Sequence, residues 1–270
     1  MSRVVRLAVL GDPLAFTRSP ELHRAGLAAL GLEGDSRAMR TEPGSLGACL
    51  RDLADEGLTG VNLTHPLKEC VLPQLARVSD AARRARSVNT VGLATDAWWG
   101  ETTDGPGFLD LLRALSREPA GERMVVLGAG GAARSLALAL ADAGAETPVL
   151  SARRIEAARA ALSDVPARVV GWRSDEERAA LARATLIVNA TPLADPDAIT
   201  PPGALEGGAL AIDLAYGETL TRWVTEARRA GGEAIDGLGL LVFQARRSLS
   251  LWLGEEVPLE PLTAAVGWPR

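Results

Sequence analysis

An apolar run, Met124-Val125-Val126-Leu127, leads directly into Gly128-Ala129-Gly130-Gly131-Ala132-Ala133, and a helical pattern follows without interruption. Few features narrow the fold of a chain so far. A glycine at 128 permits a tight turn at the end of a strand. A glycine at 130 lets backbone amides approach a pyrophosphate, and Ala133 allows the helix to pack closely on the strand. The free amides of the first helical turn then face the anion. The spacing G-x-G-x-x-A in a strand–turn–helix setting predicts a dinucleotide-binding α/β unit.

The next strand ends in Ser151-Ala152-Arg153-Arg154. About 20 residues after such a glycine turn, an acidic residue would bind the ribose 2′-hydroxyl of NAD. Here two guanidiniums stand instead. Cations at a helix N-terminus oppose the helix dipole, so a bound anion explains them better than a solvated helix start does. Charge-assisted bonds to a 2′-phosphate suit them. The expected cofactor is therefore NADP(H) rather than NAD.

Strands and helices alternate on both sides of this turn. Strands are predicted at 4–10, 36–41, 60–63, 89–93, 97–99, 123–127, 147–151, 169–172, 186–189, 209–213 and 233–235. Ala94-Thr95-Asp96 suits a hairpin turn. Helices are predicted after Ser19, read as an N-cap followed by Pro20, and at 46–56, 108–115, 132–143, 154–163, 175–184, 219–229, 238–253 and 259–266. Residues 102–107 read as a linker. Alternation of this kind implies largely parallel, helix-covered sheets. The predicted fold class is α/β in two domains. An N-terminal α/β substrate domain spans 1–104, with C-terminal helices at 239–270 returning to it. A Rossmann-like NADP-binding domain spans 105–238.

Composition narrows the function. The chain has 29 basic residues, of which 28 are arginine; the one lysine is Lys68. A bias toward arginine explains the majority but not the exception. A lysine can release a proton near neutral pH in suitable surroundings, and a guanidinium cannot. Lys68 is therefore a candidate proton-transfer group. Asparagine is nearly as scarce, at Asn62, Asn89 and Asn189, and Tyr216 is the single tyrosine. The net charge of −5 argues against nucleic acid or an anionic membrane as partner. No run approaches the ~18 apolar residues of a membrane span, and the N-terminus, with Arg3 and Arg6, shows no signal peptide. Two separated cysteines, Cys49 and Cys70, fit a reducing, cytoplasmic setting. Two histidines and two cysteines make a metal site unexpected.

A second constellation lies in the N-terminal half. Thr17 and Ser19 follow the first strand. Asn62, Thr64 and Lys68 follow the third, Asn89-Thr90 opens another, and Thr103-Asp104-Gly105 precedes the dinucleotide unit. Ends of strands are where open α/β sheets bind ligands. Hydroxyls, amides, one ammonium and one carboxylate suit a small polyhydroxylated anion. Structural roles also stand: Ser19 and Asp104 as helix caps, Asn62 as a turn residue.

Taken in order, these segments resemble the shikimate dehydrogenase family over essentially the whole chain. Gly60-x-Asn62-x-Thr64-x-Pro66-x-Lys68 is similar to that family's catalytic loop. Ser87-Val88-Asn89-Thr90-Val91, Thr103-Asp104-Gly105-x-Gly107-Phe108, the glycine turn, Val188-Asn189-Ala190-Thr191-Pro192-Leu193, and Asp236-Gly237-Leu238 through Gln244 match its other motifs. The resemblance implies reversible, NADP-dependent reduction of 3-dehydroshikimate to shikimate, on the route to chorismate and the aromatic amino acids. It implies Lys68 and Asp104 as the catalytic pair. It implies Thr17, Ser19, Thr64, Asn89, Tyr216 and Gln244 as further substrate ligands. On the cofactor side it implies Gly128, Ala129, Gly130, Gly131, Ala132, Ala152, Arg153, Arg154, Thr191, Leu214 and Gly237. Thr17 stands where the family usually has serine, and Ala152 and Arg154 replace the usual asparagine and threonine around Arg153. Alternatives are a quinate/shikimate dehydrogenase of broader specificity, a methylene-tetrahydrofolate dehydrogenase, and a non-catalytic sensor of NADP and shikimate. A homodimer is an open assembly.

Overall fold

The computed structural model describes residues 4–95, 97–200, 205 and 208–270. Asp96 of the expected hairpin turn and Arg3 lie outside the described residues. In chain order the elements are β1 (Val5–Gly11), α1 (Ser19–Ala29), β2 (Gly34–Arg40), α2 (Leu46–Asp55), β3 (Gly60–Leu63), α3 (Leu67–Cys70), β4 (Arg77–Val78), α4 (Asp80–Ala85), β5 (Thr90–Ala94), β6 (Ala97–Glu101) and α5 (Asp104–Ala114). There follow β7 (Met124–Leu127), α6 (Gly131–Asp142), β8 (Val149–Ala152), α7 (Ile155–Ala161), β9 (Arg168–Gly171), α8 (Asp175–Leu181), β10 (Leu186–Asn189), α9 (Pro196–Ile199), β11 (Leu210–Asp213), α10 (Arg222–Arg229), β12 (Ala234–Ile235), α11 (Leu238–Leu253) and α12 (Leu259–Val266). The fold is mixed α/β, and it divides into two units. One spans Met1–Gly107 and Leu241–Pro269, the other Phe108–Leu240 with Arg270.

In the first unit the described strands form a sheet in the order β2-β1-β3-β5-β6-β4. β5 alone runs against its neighbours, pairing antiparallel with both β3 and β6. That reversal is what a short hairpin demands; a parallel pair needs a long crossover. β3 is central and buried along its whole length. Leu46, Leu50 and Leu53 of α2 pack with Leu10, Val61, Leu63 and Val91 on one side of the sheet. Leu22, His23, Gly26 and Leu27 make the buried face of α1, the i, i+3/i+4 stripe of an amphipathic helix.

Two local readings are corrected. Ser19 is not the N-cap of α1. Arg18 holds that position without a side-chain cap bond, and Pro20 falls in the first turn. Thr17 Oγ1 accepts from the Ser19 amide at 3.2 Å, so an upstream hydroxyl satisfies one of the helix's free donors and the helix starts a residue earlier. Nor are residues 102–107 a linker: α5 begins at Asp104. Pro106 sits in the first turn, where its missing N–H costs nothing. Gly107 is set by packing rather than by a loop.

The second unit has the sheet order β12-β11-β10-β7-β8-β9, parallel throughout. This is the doubly wound arrangement, and its order reverses between β7 and β10. Its core gathers Val125, Leu127, Ile187, Trp223 and Val224. No helix among the described residues is long and apolar enough to cross a membrane.

Candidate active site

Lys68 sits in the short helix α3, entered through a turn in which the Leu67 amide donates to Thr64 O at 2.8 Å. Its Nζ donates to Asp104 Oδ2 at 2.6 Å, with side-chain exposures of 18% for Lys68 and 6% for Asp104. Asp104 opens α5, where a carboxylate is favoured by the helix dipole. Its other oxygen accepts from Asn89 Nδ2 at 3.1 Å. The same nitrogen lies 3.0 Å from Gln244 Oε1 and 2.8 Å from Thr103 Oγ1, while Asn89 Oδ1 accepts from the Thr103 amide at 2.6 Å. Four of the expected residues, from four separate segments, thus form one connected group. An ammonium carries three donors; Asp104 takes one, so others remain for an acceptor oxygen.

Thr17 and Ser19 lie together, their hydroxyl oxygens 3.2 Å apart. Thr64 is half-buried at the end of β3. These three share the unit of Lys68 and Asp104. Tyr216 does not: it belongs to the second unit, half-buried in the segment after β11.

Every expected cofactor residue falls at the carboxyl ends of β7, β8, β10, β11 or β12, or in the turn and first helical residues beyond. Gly128 has φ +112°, a conformation that favours glycine. A Cβ there would meet Ala190 O at 3.0 Å and Thr191 Cγ2 at 3.4 Å, so the glycine turn and Thr191 adjoin where the strand order reverses. Ala129 and Gly130 complete that turn, and Gly131 and Ala132 begin α6. A Cβ on Gly130 would meet nothing within 4 Å; the turn faces open space. Arg153 and Arg154 are exposed after the buried Ala152. The Leu214 amide donates to Asn189 O at 2.9 Å and that of Gly237 to Ala215 O at 3.0 Å. An open glycine cradle, a 12-residue helix starting at it and two exposed guanidiniums on the next strand fit a dinucleotide with a 2′-phosphate.

A model of the shikimate dehydrogenase substrate binding domain matches residues 9–91. A curated shikimate dehydrogenase (NADP(+)) of Moorella thermoacetica is 38% identical over 264 residues, 94% of this chain and 89% of that protein. The chain belongs to the shikimate dehydrogenase family. Among solved structures, shikimate 5-dehydrogenase of Thermus thermophilus in complex with NADP(H) and shikimate has a TM-score of 0.85 at 36% identity, covering 98% of this chain and 99% of that one. A ligand-free 5-ketofructose reductase of a Gluconobacter species has a TM-score of 0.80 at 27% identity, covering 98% of both chains. The architecture therefore also occurs in a protein named for a different substrate.

In this member of the shikimate dehydrogenase family, sequence reasoning missed a supporting layer. Asp213, at the end of β11, accepts from Asn189 Nδ2 at 2.9 Å and from the Ala215 amide at 3.1 Å. Asn189 Oδ1 in turn accepts from the Thr191 amide at 3.0 Å and hydroxyl at 2.7 Å. Burial pushes the Asp213 carboxyl above its ordinary value, against hydrogen bonds from Thr221, Ala215 and Asn189, and nearby Asp236 adds to the rise. A buried aspartate at the end of a strand in such a sheet was the available signal.

Packing also fixes the group around Asp104. A Cβ on Gly107 would lie 2.8 Å from Gln244 N and 2.9 Å from its Cα. Backbone at that distance has to move, and overpacking of this kind costs about 1–3 kcal/mol. Gly107→Ala is expected to shift Asp104 relative to Gln244, lowering kcat about tenfold and Tm by several degrees. Unchanged kcat would show that this close approach does not set the site.

Proposed function

We propose that this chain catalyses the reversible, NADP-dependent reduction of 3-dehydroshikimate to shikimate, a step toward chorismate and the aromatic amino acids. The observation that carries the reading is the Lys68–Asp104 pair at 2.6 Å, joined through Asn89 to Gln244. Residues 1–104, with 239–270, are the substrate domain, and 105–238 the NADP-binding domain. Thr17 and Ser19 hold the substrate carboxylate; Thr64, Asn89, Tyr216 and Gln244 hold its hydroxyls. Gly128, Ala129, Gly130, Gly131 and Ala132 take the pyrophosphate, Ala152, Arg153 and Arg154 the 2′-phosphate side, and Thr191, Leu214 and Gly237 the remainder of the cofactor.

Bound NADPH supplies the hydride. The chain's own residues manage the proton. As the carbonyl oxygen gains negative charge, a Lys68 N–H donates to it and the proton transfers, while Asp104 keeps the ammonium oriented and stabilises it beforehand. In the reverse direction the same pair accepts the hydroxyl proton. Positioned proton transfer of this kind contributes about 10²–10⁴-fold.

The cofactor arm is tested by the ratio of kcat/KM for NADP⁺ over NAD⁺ with shikimate. Charge-assisted bonds to a phosphate predict a preference of about tenfold or more, reduced sharply in the double variant Arg153→Ala, Arg154→Ala. Equal values in the wild type would contradict it. Turnover of quinate as fast as shikimate would move the substrate assignment to the broader enzyme. The same reading places the enzyme in the cytoplasm.

A further inference from the structure

Behind the acid–base group lies a buried polar network that the reaction as described does not use. His23, Asn62, Thr90 and Ser248 are 0%, 4%, 0% and 0% exposed. They come from α1, β3, β5 and α11. Asn62 Nδ2 lies 2.9 Å from the Asn89 carbonyl, 3.0 Å from Ser248 Oγ and 3.3 Å from Thr90 Oγ1. His23 Nε2 is 2.9 Å from Asn62 Oδ1 and His23 Nδ1 is 2.8 Å from Ser36 Oγ.

The directions of these bonds follow from chemistry alone. The Asn89 carbonyl only accepts, so Asn62 turns its nitrogen toward it and its oxygen toward His23. His23 must then carry its proton on Nε2, and Nδ1 accepts from the Ser36 hydroxyl. Ser248 donates to Gln244 O at 3.0 Å, so at 2.7 Å it accepts from the Thr90 hydroxyl. Thr103 Oγ1, 2.8 Å from Asn89 Nδ2, completes the cluster at 3.1 Å from both Thr90 and Ser248. Both the backbone and the carboxamide of Asn89 are held from this side, and Asn89 holds Asp104. A buried amide on a central strand is tolerated only with its partners made, and reversing Asn62 would set its oxygen against the Asn89 carbonyl.

We infer that His23 and Asn62 are positioning residues for the proton-transfer step: they fix Asn89, and through it the orientation of Asp104 against Lys68. This rests on the acid–base role proposed above for that pair. His23 touches neither Lys68 nor Asp104 by any described hydrogen bond. Its ring stands edge-on to Trp252 at 5.5 Å, which holds the imidazole plane and so the aim of Nε2 at Asn62.

The test uses the full chain, with shikimate and NADP⁺, and compares wild type, His23→Leu, His23→Gln and Ser248→Ala. His23→Leu is expected to lower kcat about tenfold or more and to displace the pH profile of kcat/KM. KM for NADP⁺ is expected to stay within about twofold. His23→Gln, which keeps a donor for Asn62 and an acceptor for Ser36, is expected to restore most of the loss. A His23→Leu protein that folds and keeps the wild-type kcat and pH profile would overturn the inference. Should His23→Leu fail to fold, Ser248→Ala decides: reduced kcat with a displaced profile at near-wild-type Tm supports the network, and an unaltered profile overturns it. A wild type without shikimate-dependent NADP⁺ reduction overturns both this inference and the proposed function. Activity in the wild type with indifferent variants overturns the inference alone.

Discussion

Replacing Lys68 with arginine is expected to lower kcat by about 10²–10⁴-fold with little change in Tm. Arginine keeps the positive charge and an ion pair with Asp104, so substrate attraction and folding are largely retained. It does not release a proton to a developing alkoxide. The substitution therefore separates charge from acidity. A chain that has arginine at every other basic position makes the comparison pointed, because its composition otherwise favours the replacement. Single-turnover and steady-state rates with a parallel thermal melt check it. Near-wild-type kcat would remove Lys68 as the proton carrier and leave it a binding cation.

A second large effect is expected in acid. Burial holds the His23 imidazole at about 4 against an ordinary 6.5; its bond to Asn62 opposes that shift, and nearby Arg24 adds to it. A base with a depressed folded value binds fewer protons folded than unfolded between those limits. Its contribution is fully present above about pH 6.5 and is lost as pH falls toward 4. At about 1.4 kcal/mol per pH unit, the loss is about 3 kcal/mol, a sizeable share of a typical domain's stability. Asp213 acts in the opposite sense. Its raised value means that ionisation costs stability as pH rises above the ordinary 3.8. Urea unfolding at pH 7 and pH 4.5 is expected to show a steeper fall for wild type than for His23→Gln. Equal falls would mean that His23 is not buried neutral.

The elements whose pattern was strongest were legible to the residue. The bounds of β3, β10, α11 and α12 coincide with the expectations from hydropathy, since a continuous apolar run or a long 3.6-residue period leaves little choice. Several elements without such a pattern were not legible. β4 and α3 are too short to show a period. α4 follows Ser79, whose hydroxyl caps Ala82 N, and ends at Arg86 with φ +46°, a residue type giving no warning of that conformation. The start of α5 was hidden because Gly105-Pro106-Gly107 reads as a loop, whereas Gly107 answers to a backbone neighbour more than a hundred positions away in sequence.

The site divides in the same way. Lys68 was visible by scarcity, and Asp104, Asn89 and Gln244 by the order of the motifs. Of the three asparagines, Asn62 bonds to His23 and the Asn89 carbonyl, Asn89 to Asp104 and Gln244, and Asn189 to Asp213 and Thr191. Each asparagine is a buried junction between segments. His23 and Ser248 gave no such signal. One lies on the apolar face of α1 and the other in an apolar helix, and only the assembled sheet brings them together.

Oxidation of shikimate by NADP⁺, beyond binding of the two, is expected of this chain. The direct measurement is NADPH appearance by nicotinamide absorbance when the purified chain is mixed with both, with 3-dehydroshikimate quantified in the same sample. One NADPH formed per 3-dehydroshikimate, over many turnovers per chain, is predicted. Saturable binding of both ligands with no NADPH formed would instead make the molecule a sensor.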